Sequence, residues 1–251
     1  MNILGNIRQR IGGVIVGVLV AIGIFVCGAL MAFVISPQQA LEWRRINNLP
    51  LVDGSGFASA AAETELVVTG RLEGNQPLTQ DGLVAYAREQ WEVDPPDNSN
   101  DDPDGSWTLL EESFPALTIN AGGSPATVTT LPATSVTFGG ALHETIQEGT
   151  GTERADYSGR SLPEGSIRTR GYKEGDLITV VGRKATTGDL VPSRYYGGDR
   201  TQLVEEIRSS ARAMFAIGVG MMICAPILLV VFVVGSLFGR VRGGGGLKIK
   251  V

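Results

Sequence analysis

Two cysteines, one histidine and four lysines are scattered through 251 residues, and each scarcity removes a class of chemistry. Both cysteines, Cys27 and Cys224, fall inside uncharged hydrophobic runs. The stretch between those runs therefore has no disulfide and must rely on its own core. His143 is the one imidazole, so it alone can serve a serine nucleophile as a histidine base, and no Gly-x-Ser-x-Gly elbow is present. A Ser-Lys dyad would need Lys173 or Lys184 desolvated beside a serine. No glycine-rich phosphate loop occurs. No catalytic residue, metal ligand or cofactor is expected from these counts.

What the chain does have is two long apolar runs. Residues 11–35 and residues 213–238 are 25 and 26 residues long and carry no charge. A hydrocarbon core about 30 Å thick takes roughly 20 helical residues, so each run is long enough to span it. The first run exceeds the roughly 7–15 residues of a signal-peptide core. Ile24-Phe25-Val26 also lacks the small residues of a lipoprotein site before Cys27. It is read as a retained anchor. Neither run holds an ionisable residue, which argues against a proton relay or ion transporter.

Charge orients the spans. Arg8 and Arg10 precede the first; Arg240, Arg242, Lys248 and Lys250 follow the second; neither end has an acid. Between them, 15 basic residues face all 26 acids, a formal charge of −11. Positive flanks stay cytoplasmic, so both termini are expected inside and the acidic domain outside, although Arg44, Arg45, Arg208 and Arg212 dilute the bias. A domain at −11 repels phosphate backbones and is no nucleic-acid surface. Seventeen arginines against four lysines, on an acid-rich chain, suit concentrated salt or high-GC coding and suggest a prokaryotic source.

The expected organisation is a cytoplasmic N-terminus (1–10), a transmembrane helix (11–35), a helical extension and linker (36–63), a β-rich domain (64–198), a connecting helix (199–212), a second transmembrane helix (213–238) and a cytoplasmic tail (239–251). Within the extension, Trp43, Arg44 and Arg45 suit a membrane interface, and residues 53–62 read as a small polar linker. Strands are expected at 66–72, 83–93, 107–110, 116–120, 127–131, 135–138 and 177–183, with Gly122-Gly123 as a turn and 148–163 as an exposed loop. Many short strands without a long helix suggest a small antiparallel barrel or sandwich. Residues 201–212 place Leu203, Ile207 and Ala211 on one helical face. The fold class is thus a membrane protein with two transmembrane helices flanking a mainly β domain.

The order of these segments resembles a known family. Leu83-Val84-Ala85-Tyr86 opens a strand ending at Trp91, and Trp107 follows a variable loop. Phe114-Pro115-Ala116-Leu117-Thr118-Ile119-Asn120 comes next, and Gly175-Asp176-Leu177-Ile178-Thr179-Val180-Val181-Gly182 precedes a helix into the second span. This is similar to the GIDE, or beside-a-membrane, domain of mitochondrial membrane-anchored RING ubiquitin ligases and their shorter prokaryotic relatives, over roughly residues 64–238. Asn120 stands where that family usually has an aspartate. A RING needs two tetrahedral zinc sites with eight cysteine and histidine ligands, and two cysteines and one histidine cannot build one.

Two weaker patterns remain. Asn100, Asp102, Asp104, Gly105 and Glu111 have calcium-loop spacing, but prolines precede them where a helix is needed. Gly13, Gly17 and Ala21 form a small-residue stripe suited to close helix packing, within the chain or between copies. Pro226 is expected to bend the second span. The tail after Gly243-Gly244-Gly245-Gly246 suits a frayed end or a contact with a cytoplasmic partner or anionic lipid. The expected role is a non-enzymatic binding or scaffolding module in the cell membrane. Its expected partners are the bilayer and either a membrane protein or a second copy. The alternatives are an accessory member of a ubiquitin-ligase-like system and an envelope hydrolase.

Overall fold

A computed structural model describes residues 3–94, 102–131 and 136–238, with side-chain packing from residue 15 to residue 235. Two compact units emerge: Met1–Arg44 with Glu206–Val251, and Arg45–Glu205. In chain order, two long apolar helices flank a mainly β unit that contains a closed barrel.

The helical unit is built from small residues. Helix α1 (Ile3–Leu30), a π-helical turn (Met31–Ile35) and α2 (Ser36–Asn48) run without a break. The Ser36 N–H donates to Met31 O, five residues back. Pro37 follows, with no N–H to give and a ring that crowds the preceding turn of a regular helix. The wide turn ahead of it supplies the space. Helix α4 (Arg200–Phe238) runs through Pro226. Along α1 and α4, a Cβ on Gly28 would meet Gly218 O, and one on Gly218 would meet Gly28 O. Ala21, Ala32, Ala211 and Ala225 are buried in the same unit, and the Ser36 hydroxyl donates to Ala211 O at 3.0 Å.

The β unit opens with β1 (Leu51–Val52), α3 (Gly54–Ser59) and β2 (Glu65–Leu72). It continues with β3 (Leu83–Asp94), β4 (Asp104–Ser113), β5 (Leu117–Ala121), β6 (Ser124–Val128), β7 (Thr137–Gly140) and β8 (His143–Gln147). The last strands are β9 (Arg154–Tyr157), β10 (Arg160–Pro163), β11 (Ile167–Lys173), β12 (Leu177–Lys184) and β13 (Leu190–Gly197).

Five strands close on themselves in the order β2-β12-β13-β6-β5, and β5 pairs back onto β2. Every barrel pairing is antiparallel except β13 with β6. This is the five-stranded Greek-key arrangement of OB-type barrels, a statement about fold alone. Inward positions alternate along the strands: Leu66, Val68 and Leu72; Leu117, Ile119 and Ala121; Ala126 and Val128; Ile178 and Val180. Gly70 and Gly182 fall on that inward parity where the wall bends. A Cβ at Gly70 would overlap Asn120 O at the closing seam, and one at Gly182 would overlap Val191 O beside a register shift. Only glycine lets the backbones approach there.

The long connections carry a second layer. Strands β4-β3-β11-β8 form an antiparallel sheet, and the β9–β10 hairpin contributes Ala155 and Leu162 to the core of that sheet with Trp91 and Val93. Strand β3 serves both cores, with Val84 and Ala85 in the barrel and Trp91 and Val93 in the outer sheet.

Several expectations need correction. Residues 53–62 are not a linker. Asp53 accepts from Gly56 N at 2.6 Å and caps α3, whose Phe57 enters the barrel core. Residues 148–163 are not a bare loop, since they include the packed hairpin β9–β10. The strand expected at 127–131 lies at Ser124–Val128, because Gly122 and Gly123, both at positive φ, make a two-residue turn directly after β5. The barrel is not wholly antiparallel, and a sandwich is not the arrangement seen.

Candidate functional site

A polar cluster among the described residues lies on the outer sheet. Glu89 on β3 accepts from Arg168 Nε at 2.8 Å and from Arg170 Nε and a terminal nitrogen at 2.9 and 3.0 Å. Arg168 is nearly buried, with its side chain 9% exposed. Its guanidinium lies 4.3 Å from the Trp107 ring centre and donates to the Tyr157 hydroxyl at 2.7 Å. Trp91, Trp107 and Tyr157 meet at centroid distances of 4.9, 5.6 and 5.3 Å. The indole N–H groups of Trp91 and Trp107 are buried without a hydrogen-bond partner among the described residues. Their neighbours are ring faces, which accept weakly. Aromatic rings and a saturated arginine fill this cluster, so its chemistry is that of a small core with a desolvated ion pair.

Lys184 is buried on β12, and its ammonium donates to Phe57 O, Ala58 O and Ala60 O at 2.7, 2.8 and 2.8 Å. Those carbonyls close the end of α3, so the lysine is a clamp on that helix. It borders a recess of about 400 Å³ shared with Glu63, Glu65, Arg183 and Ser193. The Ser193 hydroxyl donates to Val181 O at 3.1 Å. Lysine and serine thus share a recess but are each bonded to main chain. His143 Nε2 lies 3.2 Å from the Asp176 carboxylate, which also accepts from Lys173 N at 2.7 Å. This pair ties β8 to the β11–β12 turn.

The calcium-loop spacing comes apart in the fold. Asn100 and Asp101 lie outside the described residues. Asp104 and Glu111 are both in β4, and an extended strand separates them by roughly 20 Å. Glu111 accepts from the Tyr86 hydroxyl at 2.7 Å, which also raises the Tyr86 pKa. Gly105 answers to a different need, because a Cβ there would overlap the Trp91 indole. Asn120, the departure from the GIDE pattern, donates to Glu73 at 2.7 Å and accepts from Gly123 N at 3.0 Å. Two opposite roles at one side chain suit an amide and not a carboxylate.

In the helical unit, Gly17 lies against Phe232 and Ala21 is buried. Gly13 is in α1 but outside the residues whose packing is described. Val18, Ala21, Ile22, Phe25, Ala225, Pro226 and Leu229 line an open apolar recess of about 320 Å³. Sequence reasoning missed the second pair of close approaches, Gly28 with Gly218, and the Ser36 hydroxyl bond. A seven-residue spacing of Ala211, Gly218 and Ala225 on α4 carries that signal.

Strand β4 leaves one edge of the outer sheet open, pairing only with β3 among the described residues. Leu109 and Leu110 are exposed on it. Asp104, Glu111, Glu112 and a register shift at Arg88/Glu89 guard that edge against uncontrolled pairing. No protein-family model, curated protein or solved structure matches this chain.

Proposed function

We propose that this chain is a membrane-anchored, non-enzymatic binding or scaffolding module that holds an acidic β unit beside the bilayer. One observation carries the reading. The apolar side chains of α1 and α4 are exposed around the helices and not only along a stripe. Ile15, Val16, Leu19, Ile22, Phe25 and Phe33 on the first helix, and Ile223, Ile227, Val230 and Val231 on α4, are all exposed, and both helices are long and apolar enough to cross a membrane. A helix apolar on all sides belongs in lipid or in a large core. The buried small residues then account for the pairing of the two helices in a solvent that gives apolar side chains no reason to associate.

The joints favour a binding role close to the membrane. Two residues, Leu49 and Pro50, separate α2 from β1, and two, Gly198 and Asp199, separate β13 from α4. A unit tethered at both ends through such short joints meets neighbours in the bilayer. The GIDE resemblance rests on this order of segments, and under it the chain would serve a ligase-like system as an accessory member.

Topology is tested by single cysteines at Ser99, Ser161 and Gly245 in a chain lacking Cys27 and Cys224. Intact cells are labelled with a membrane-impermeant maleimide. Labelling at Ser99 and Ser161 but not Gly245 is the expected result. Labelling at Gly245 alone would make the β unit a cytoplasmic platform. Release of the protein by alkaline carbonate would overturn the membrane reading itself.

A further inference from the structure

Where the uncharged helices end on the side of the β unit, arginines gather around one tryptophan. No charged residue occurs between Arg10 and Glu42, nor between Arg212 and Arg240. Just beyond the first limit stand Trp43 and Arg44; just before the second stand Arg208 and Arg212. The Arg44 guanidinium lies 5.5 Å from the centre of the Trp43 ring, and so does that of Arg208. One guanidinium comes from α2 and the other from α4, so one indole gathers cations from both helices. Arg44, Arg208 and Arg212 are all exposed.

Depth sets what this cluster meets. Leu41, 65% exposed, ends the apolar surface of α2. Arg208 lies five residues before Ala213, hence about 7.5 Å along the axis at about 1.5 Å per residue. The headgroup layer is about 5–8 Å thick on each side of the hydrocarbon. Tryptophan and arginine both favour that layer, the ring at its apolar boundary and the guanidinium toward phosphate. A guanidinium matches a phosphate through two parallel N–H donors, and stacking on an indole holds its plane. Glu42 and Glu206 lie in the same stretch, so the net excess is one positive charge. The phosphate is common to zwitterionic and anionic lipids, so the preference for an anionic one comes from this local positive excess, which the shared indole gathers in one place.

We infer that Trp43, Arg44, Arg208 and Arg212 form a headgroup clamp for the phosphate of anionic glycerophospholipids. This rests on the membrane reading above. The clamp would dock the helical unit against an anionic surface that the −11 segment otherwise repels.

The test uses the full chain in nanodiscs of phosphatidylcholine mixed with phosphatidylglycerol, with a spin label on either lipid reporting which one is immobilised at the protein. The expected result is a several-fold preference for phosphatidylglycerol that falls as salt rises. The Arg44→Gln/Arg208→Gln variant should abolish it, since one arginine at an anionic surface is worth about five-fold. Trp43→Ala, which keeps every charge, should lower it by less but measurably. No preference in the native chain, or an equal preference in the double variant, overturns the clamp. A chain that incorporates into neither kind of disc overturns the membrane reading instead. Melting of the β unit, followed by circular dichroism, checks that each variant is folded.

Discussion

The barrel and the outer sheet solve the same problem in opposite ways, though β3 runs through both. The barrel has no edge. Its five strands close, and its core is Leu66, Val68, Leu72, Leu117, Ile119, Ile178, Val180 and Leu190, all fully buried. The outer sheet has two edges, a core cluster of four buried residues of which two come from the β9–β10 hairpin, and an ion pair whose arginine lies against two rings. A closed aliphatic core draws its stability from area removed from water. A small open sheet cannot bury enough, so it adds ring contacts and charge-assisted hydrogen bonds. The first kind of region tolerates salt and acid. The second depends on each partner being present and ionised.

The largest expected break in that contrast is Glu89→Ala. It would leave Arg168 nearly buried with only the more distant Glu144, 3.9 Å away, to answer its charge. Removing one partner of a buried pair costs about 3–5 kcal/mol, and the lower end is expected because Tyr157 still accepts from Arg168. Urea melts read by the emission of Trp91 and Trp107 should shift accordingly. Circular dichroism should show the barrel unfolding at nearly its native midpoint. A single coincident transition by both probes would mean that the two regions melt as one.

Base acts on the barrel. Burial pushes Tyr195 up to about 12 from 10.0, and burial likewise raises Tyr172, whose hydroxyl donates to Gly139 O. A group whose folded pKa exceeds its unfolded value stabilises fully below pH 10, and that contribution disappears as pH rises toward 12. For Tyr195 this is about 2–3 kcal/mol. The barrel should therefore lose stability between pH 10 and 12, with the share of the tyrosinate absorbance that belongs to Tyr172 and Tyr195 appearing only at unfolding. Tyr195→Phe should flatten the slope.

Much of this was legible in the residues, and the failures share a cause. The 177–183 strand stood out by its β-branched residues, and 66–72 and 83–93 by their apolar and aromatic runs. The apolar runs needed only length. The hairpin at 154–163 hid because its core-facing side chains, Ala155, Tyr157 and Leu162, are spread among polar residues over two four-residue strands. Helix α3 hid because Gly-Ser-Gly looks like a linker; what makes it a helix is Asp53 at one end and Lys184, over a hundred residues away, at the other. Barrel closure is equally non-local, since no window of sequence reveals that Gly70 must admit the Asn120 carbonyl.

Glycine positions sharpen the comparison at a smaller scale. Gly70→Ala forces a methyl onto the Asn120 carbonyl, and backbone in a closed ring has nowhere to go. Gly105→Ala, on the edge strand β4, forces one onto the Trp91 ring, a side chain and not closed backbone. Overpacking costs about 1–3 kcal/mol, and the barrel substitution should fall at the upper end and the sheet substitution at the lower. Thermal melts of the two variants decide it, and the reverse order would show that the seam is softer than its closed pairing implies.

Asn120→Asp is the smallest and most specific change. It restores the residue that the GIDE pattern favours, so a resemblance argument expects it to be harmless. The structure argues otherwise. The amide nitrogen donates to Glu73, and a carboxylate there would face another carboxylate at hydrogen-bond distance. The oxygen side would survive, because an aspartate still accepts from Gly123 N and keeps the β5–β6 turn. The cost is one exposed hydrogen bond exchanged for a repulsion, under about 1 kcal/mol. It should shrink as pH falls low enough to protonate one of the two acids, and adding Glu73→Gln should remove it. A variant as stable as the native chain at neutral pH would mean that Glu73 turns away to water.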